Sequence, residues 1–319
     1  MVPEIFSLKG KKVWVAGHRG MAGSAILRRL AREDCEILSV DRKTVDLRRQ
    51  SDTENWMVKH KPEVVVLAAG KVGGILANSS YPADFLYDNL MIAANVIHGA
   101  HDIGVQKLLF LGSSCIYPRL AQQPMQESAL LSGALEPTNE AYAVAKITGI
   151  KMCESYRRQF GDDFISAMPT NLFGPGDNFN VDAGHVVAGL IVKAHNAKIS
   201  GAGSLELWGT GTPLREFLFV DDLADACVYL LKHYSGLPHV NVGSNMEYSI
   251  KQLADAVCEV VDFKGGFVFD SGKPDGMPRK LMDGSVLREL GWQSKTSLKD
   301  GLRVAYDWYL QQLTPSPAL

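Results

Sequence analysis

The stretch 12-KVWVAG-17 runs without a break into 17-GHRGMAG-23 and then into 21-MAGSAILRRLARE-33. An apolar run rich in valine is followed by glycines spaced G-x-x-G-x-x-G, then by residues with helical periodicity. Gly17 permits a tight turn, Gly20 lets backbone approach a pyrophosphate, and Gly23 lets the helix lie close on the strand. The helix start adds free N–H groups and a positive dipole end, both favourable to phosphate. Glycines in this spacing are a weak signal alone; the strand before and the helix after make it specific. Gly17, His18, Arg19, Gly20, Met21, Ala22 and Gly23 are therefore expected to hold a dinucleotide, with His18 acting through its backbone.

Working outward, the same unit repeats. Apolar runs at 36-EILSVD-41, 63-EVVVLAAG-70, 106-QKLLFLG-112 and 164-FISAMPTN-171 alternate with helical patterns over 51–61, 84–104 and 140–161. Continuously apolar strands between helices imply a parallel sheet covered on both faces. Right-handed crossovers then predict an α/β fold with a Rossmann-type doubly wound parallel sheet. The second half is less regular. Helical patterns at 186–195, 221–234, 249–261 and 297–313 surround the glycine-rich 200-SGAGSLELWGTGTPLREF-217 and the loop 270-DSGKPDGMPRKLMD-283. This predicts a smaller interleaved C-terminal substrate lobe. Residues 1–172 are expected to form the NADP-binding domain, with about 212–245 returning to it, and 173–319 mainly the substrate lobe. Asp221 and Asp222 read as helix N-caps, and 314–319 as a frayed tail.

Composition narrows the function classes. The 319 residues are 46% hydrophobic and 21% charged, ordinary for a large globular core. A net charge of -2 supplies no electrostatic reason for nucleic acid or an anionic membrane as partner. The five cysteines are widely spaced without C-x-x-C, so neither a disulfide framework nor a zinc knuckle is expected. No secretory signal and no membrane-length apolar run is evident. These features together predict a cytoplasmic protein, and no His/Asp/Glu spacing suggests a metal.

Asp41 closes the second apolar run, where an acid would accept from the ribose hydroxyls of NAD. Arg42 follows it and Arg19 sits in the glycine loop; guanidiniums there suit a 2′-phosphate instead. NADP(H) is the expected cofactor. Further on, 142-YAVAK-146 sets Tyr142 and Lys146 four apart, on one face of a helix. A lysine ammonium beside a phenol would favour phenolate and lower its pKa, poising Tyr142 for proton transfer while hydride moves.

These motifs stand with 71-KVGGILANSSYPADF-85, 111-LGSSCIYP-118, 136-EPTNEAYAVAKITGIKMCESY-156, 168-MPTNLFGPGDNF-179, 208-WGTGTPLREFLFVDD-222 and 273-KPDGMPRKLMD-283. Together they resemble the extended short-chain dehydrogenase/reductases that act on nucleotide sugars, over about residues 11–310. Within that family the likeness is to the branch that epimerises C3 and C5 of GDP-4-keto-6-deoxy-D-mannose and reduces C4 with NADPH. The resemblance implies Ser113, Tyr142 and Lys146 as the reductase trio, and Cys115 and His185 as the acid/base pair of epimerisation. It implies cofactor contacts from the glycine loop, Arg42, Leu111, Gly112, Ser113, Ser114, Lys146, the segment Pro169, Thr170, Asn171 and Leu172, and His185. It implies substrate contacts from Lys193, Trp208, Arg215 and Asp275, and a homodimer pairing the helices near 84–104 and 141–160. The loop 180-NVDAG-184 before His185 matches no motif.

The residue types fit that chemistry. Protons on C3 and C5 are both α to the C4 ketone, so each leaves through an enolate. Thiol and imidazole groups titrate near neutral pH, unlike a serine hydroxyl. Plainer explanations exist beside these. Cys35, Cys153, Cys227 and Cys258 read as small buried hydrophobes. Trp208 fits either a core position or a stack on a guanine base. Arg279 and Lys280 fit either solvated charges or partners of a diphosphate. A redox-neutral 4-epimerase or 4,6-dehydratase recycling NAD is the alternative function; such relatives usually carry Ser or Thr where Cys115 stands. A non-catalytic NADP sensor would tend to lose the Tyr142–Lys146 pair.

Overall fold

A computed structural model of the chain describes residues 2–180, 184–273 and 275–313. Val181–Ala183 of the loop before His185, and the tail 314–319, lie outside them. The first half builds β1 (Lys12–Ala16), α1 (Met21–Leu30), β2 (Glu36–Leu38), α2 (Gln50–His60), β3 (Val64–Leu67), α3 (Ile75–Ser80), α4 (Pro82–Asp102), β4 (Lys107–Leu111), α5 (Glu140–Phe160), β5 (Phe164–Pro169) and β6 (Asn171–Phe173). The second half adds α6 (Val186–Ser200), β7 (Ser204–Trp208), β8 (Leu214–Phe219), α7 (Val220–His233), β9 (Val240–Val242), β10 (Glu247–Ser249), α8 (Ile250–Val261), β11 (Gly266–Asp270), β12 (Arg279–Lys280), α9 (Ser285–Glu289) and α10 (Leu298–Leu313).

The main sheet has the order β2-β1-β3-β4-β5-β9 and every pairing in it is parallel. This is the doubly wound, Rossmann-type sheet expected. Its strands are apolar throughout because both faces are covered: β3 and β4 are buried at every position. On one face α1 and α7 pack Ile26 and Leu30 with Leu223, Cys227 and Leu230. On the other, Met57, Val96 and Ile150 from α2, α4 and α5 meet Phe110 of β4. Strand order reverses between β1 and β3, so a crevice opens at their carboxyl ends, where ligands of such sheets bind.

Three local expectations need correction. The second strand ends at Leu38, so Asp41 lies in the loop beyond it. The fifth apolar run is two strands. Pro169 has no N–H for the ladder, and there the chain leaves β9 and crosses to β8 through β6. Asp221 and Asp222 do not cap α7, whose N-cap is Phe219 with no side-chain bond. Asp221 instead pairs with Arg28, and Asp222 accepts from the backbone N–H groups of Lys295 and Thr296 at 3.2 and 2.9 Å.

The second lobe holds β10-β8-β12 with β6 also on β8, and the two-stranded pair β11-β7. Its core joins Leu190, Leu205, Leu207, Leu253, Val257 and Leu302 from α6, β7, α8 and α10. β7 alternates exposed and buried residues, a strand signature that its flanking glycines obscure in the sequence. Segments interleave: α7 and β9 return to the main sheet, and Leu287 and Trp292 follow them into its core. Cys153, Cys227 and Cys258 are buried and Cys35 partly so. No helix among the described residues is long and apolar enough to cross a membrane.

Candidate active site

The glycine loop closes the carboxyl end of β1. Gly17 has φ +92°, and a Cβ there would stand 2.5 Å from the Ala69 nitrogen. A Cβ on Gly23 would stand 2.1 Å from the Gly17 carbonyl oxygen. Gly20 differs: its Cβ would meet only that same oxygen, at 3.5 Å, so no protein atom demands glycine there. Gly20 is also the N-cap of α1 and makes no side-chain cap bond, which leaves the first N–H groups of α1, beginning with Met21 and Ala22, for an incoming anion. Both observations fit a pyrophosphate. Gly23→Ala is expected to cost roughly 1–3 kcal/mol by forcing helix from strand, read as a lower urea midpoint together with weaker dinucleotide binding.

A cleft of about 470 Å³ opens beside this loop. Gly17 to Gly20 form one wall, Asp41 and Arg42 its polar end, and Val45, Leu47 and Ile92 an apolar patch. That patch, with Ala68, Ala69 and Gly70, escaped the sequence reading because it comes from three separate elements. A hollow of about 530 Å³ between Glu127, Lys151, His239 and Asp283 contains none of the expected site residues.

At the end of β4, Leu111 and Gly112 lead into a 3-10 turn at Ser114–Ile116. A Cβ on Gly112 would stand 2.2 Å from the Met168 sulfur, so the turn sits tight on β5. Ser114 is buried at 4% exposure, which suits a structural role. Ser113 stands close enough to the Tyr142 phenol and the Cys115 thiol to favour the ionised form of each. Lys146, on α5 with Tyr142, donates from Nζ to the Leu111 carbonyl at 2.9 Å and lies 5.8 Å from the Tyr142 ring centroid. Its Nζ is 3.4 Å from where a Cβ on Gly70 would be, which ties it to the cleft wall. Phe85 meets the Tyr142 ring edge-on at 6.2 Å.

The electrostatics correct the simple picture of a lysine-activated phenolate. Burial raises the Tyr142 pKa above its ordinary value, Cys115 adds to that, and only Ser113 opposes it. Burial also pushes Lys146 down to about 8, with Cys115 opposing. Tyr142 is thus held protonated at neutral pH, a state suited to giving a proton. Burial raises the Cys115 thiol too; Lys280, then Ser113 and Lys146, act to lower it.

His185 is the N-cap residue of α6, and its Nδ1 lies 2.9 Å from Asp177 Oδ1. Asp177 is buried, so the carboxylate fixes the proton on Nδ1 and leaves Nε2 as the available nitrogen. That bond raises the His185 pKa above 6.5, against burial. Asp177 lies inside 168-MPTNLFGPGDNF-179 but was not singled out; an acid in a glycine turn ahead of the histidine was its only signal. No hydrogen bond or ion pair joins His185 to Cys115 or Tyr142 among the described residues. Its loop reaches the glycine loop instead: a Cβ on Gly176 would sit 3.4 Å from Met21 Cα.

The second lobe contributes the outer residues. Lys193 and Lys273 stand over the Trp208 ring at 5.1 and 5.3 Å, and Trp208 is 56% exposed, not core. Asp275 has both oxygens on Thr210, accepting from its N–H at 2.7 Å and its hydroxyl at 2.9 Å, so it shapes the loop after Trp208. Arg215 on β8 is in register with Lys280 on β12. Arg279 is spoken for by Glu247 at 2.7 Å, while Lys280 is half-buried and feels the charges of Cys115, Arg215 and Glu216. Glu216 is fully buried and organises this corner: it accepts from the backbone N–H of Asn245 at 2.7 Å and of Met282 at 3.2 Å. Thr170 and Asn171 both donate to the Glu216 carbonyl, at 3.3 and 2.8 Å, and Leu172 continues onto β8, which fastens the segment after Pro169 to the same strand. Among the described residues no group of His, Cys, Asp or Glu could hold a metal ion.

Residues 13–243 match the model of the NAD dependent epimerase/dehydratase family. The chain belongs to that family. It is 57% identical to the GDP-L-fucose synthase of Sinorhizobium fredii over 309 residues, covering 97% of this chain and 98% of that protein. It is 50% identical to the GDP-L-fucose synthase of Escherichia coli, covering 94% and 97%. A GDP-L-fucose synthetase from Naegleria fowleri, solved bound to NADP, superposes with a TM-score of 0.89 at 28% identity, covering 97% of each chain.

Proposed function

We propose that this family member is an NADPH-dependent enzyme that epimerises C3 and C5 of GDP-4-keto-6-deoxy-D-mannose and reduces C4, giving GDP-L-fucose. The observation that carries this reading is the cluster of Ser113, Cys115, Tyr142 and Lys146 at the carboxyl end of β4, with the Lys280 charge acting on Cys115 from β12. A reductase alone needs no thiol there. Similarity to GDP-L-fucose synthases over nearly the whole chain supports the substrate, and the NADP-bound relative supports the cofactor.

In this reading residues 1–172, with α7 and β9, hold the cofactor, and the later segments hold the nucleotide sugar. The Gly17–Gly23 loop takes the pyrophosphate, and Arg42 and Arg19 the adenosine end. Lys146, Ser114 and the stretch Pro169–Leu172 border the nicotinamide end. Bound there, NADPH would supply the hydride for C4. Ser113 and Tyr142 donate hydrogen bonds to the C4 oxygen, stabilising charge that develops there both on enolisation and on reduction. Tyr142 supplies the proton that completes the C4 hydroxyl, and Lys146, held on the Leu111 carbonyl, positions the cofactor and this phenol. Cys115 and His185 exchange protons at C3 and C5 from opposite sides of the ring. Arg215, Lys193 and Lys280 balance the diphosphate, Trp208 stacks on the base, and Asp275 holds the Trp208 loop.

The deciding experiment mixes enzyme, NADPH and GDP-4-keto-6-deoxymannose, with the dTDP and UDP counterparts as controls. One NADPH consumed per GDP-sugar converted is the expected result. Redox-neutral turnover would mean the 4-epimerase or dehydratase alternative instead.

His185 gives a pH prediction. Its pKa in the folded chain is raised by Asp177, so imidazolium persists above its ordinary range. Any acid role, and the stability the bond contributes, is full below the unfolded value and lost as pH rises through the raised one. Asp177→Asn is expected to move the His185 titration, followed by NMR, to lower pH, and the alkaline fall of epimerisation with it. An unmoved titration would remove Asp177 from this role.

A homodimer belongs to the same proposal. Tyr87 on α4 and Val144 on α5 are 58% and 41% exposed, as two helices pairing with their copies would leave them in a single chain. Light scattering at twice the chain mass supports it; the monomer mass refutes it.

A further inference from the structure

Cys115 stands on a short turn and Lys280 on a two-residue strand of the other lobe, so neither element by itself fixes one against the other. A buried network does. Tyr117, two residues beyond the thiol, is buried, and its hydroxyl donates to Oδ1 of Asn241 on β9. The same hydroxyl lies 2.9 Å from Nε2 of the buried His239. A phenol has one hydrogen, so with that hydrogen on Asn241 it accepts from His239, which places the histidine proton on Nε2. The other end of the Asn241 amide is committed too. Its Nδ2 donates to the carbonyls of Met125 at 3.0 Å and Asp283 at 3.1 Å. Those two segments are themselves joined: the Met125 N–H donates to the Leu281 carbonyl, and the Asp283 N–H to the Met125 carbonyl, both at 2.8 Å. Leu281 follows Lys280 directly in the chain.

One fully buried amide therefore holds the turn of the thiol at its oxygen and the strand end of the lysine at its nitrogen. Freeing either end would leave a buried polar group unpaired, which is costly, so the network acts as a unit. We infer that Tyr117 and Asn241 are positioning residues for the proton transfers at C3 and C5: the Asn241 amide, bonded by the Tyr117 hydroxyl, sets how near the Lys280 ammonium stands to the Cys115 thiol. Attraction between ammonium and thiolate weakens with separation, so a slackened clamp leaves less thiolate. Lys146 and Tyr142, the other titratable groups acting on the thiol, are on α5, and Lys146 is held separately by the Leu111 carbonyl. The inference rests on the reading of Cys115 as an acid/base group and adds what places it.

The test follows alkylation by iodoacetamide against pH, with the peptide that carries residue 115 read by mass spectrometry. This readout needs no turnover, so it can fail while the epimerase reading, which rests on proton exchange, still holds. Tyr117→Phe keeps the buried ring and frees one end of the amide. Its Cys115 midpoint is expected about one pH unit higher, which is about tenfold less thiolate at a given pH. Proton exchange at C3 and C5 should fall by about the same factor, and NADPH affinity should change by less than about twofold. Lys280→Met should raise the midpoint by a similar amount. Both changes together should raise it no further than Lys280→Met alone, because the phenol acts through that ammonium, whereas a general loosening of the fold would add a second shift. Asn241→Ser frees both ends of the clamp, should repeat the Tyr117→Phe result, and carries the test should that variant not fold. An unmoved midpoint in either folded variant, or additive shifts in the double variant, overturns the inference.

Discussion

Replacing Cys115 with serine is expected to slow proton exchange at C3 and C5 by roughly 10²–10⁴-fold, the usual weight of a positioned acid or base. The change is one atom, at a residue 9% exposed on a turn packed against β5, so the fold should survive it. What it removes is an ionisable group. Burial already disfavours the thiolate, and Lys280, Ser113 and Lys146 are arranged to oppose that. A serine hydroxyl starts far above a thiol in pKa, and the same neighbours cannot bring it into range. The experiment is deuterium wash-in from heavy water into the sugar, followed by NMR, with NADPH fluorescence to show the cleft still binds. Wash-in at the native rate would remove Cys115 from epimerisation.

Tyr142→Phe is the complementary case. Phenylalanine keeps the ring against Phe85 and deletes only the hydroxyl beside Ser113. Reduction at C4 is expected to fall by roughly 10²–10⁴-fold. Exchange at C3 and C5 should fall less, by about tenfold, because Ser113 still donates to the C4 oxygen. Epimerised ketone should therefore accumulate while NADPH oxidation stalls. The reason lies in direction of proton flow. Burial holds the Tyr142 phenol protonated, and a reductase needs a donor at this position. Native-rate reduction in the variant would refute the assignment and point to Ser113 or solvent as the proton source.

Much of the fold was legible because it is local. The strands and crossover helices of the first half announce themselves through apolar runs and helical spacing. The boundaries moved where tertiary pairing intervened: β2 stops short of Asp41, and the run ending at Asn171 divides at Pro169 to serve two sheets. β7 and β12 were illegible. The first is hidden among glycines, and the second is a strand only because Arg279 and Lys280 lie beside Leu214 and Arg215.

The sequence by itself determined the dinucleotide loop, the helical placement of Tyr142 beside Lys146, and the pairing of a serine with a cysteine at one strand end. Each is set by spacing within a few residues, where backbone geometry alone decides which side chains meet. The tertiary structure alone decided the rest. It set Asp177 on His185, closed Arg19 on Asp41, brought Lys280 to Cys115 across the lobes, and made Glu216 a buried anchor rather than a surface charge. It also buried Tyr142, which raises a pKa that the lysine four residues on was expected to lower. Those outcomes depend on burial and on contacts between distant segments, and a carboxylate, ammonium or phenol takes its pKa from exactly those surroundings rather than from its neighbours in the chain.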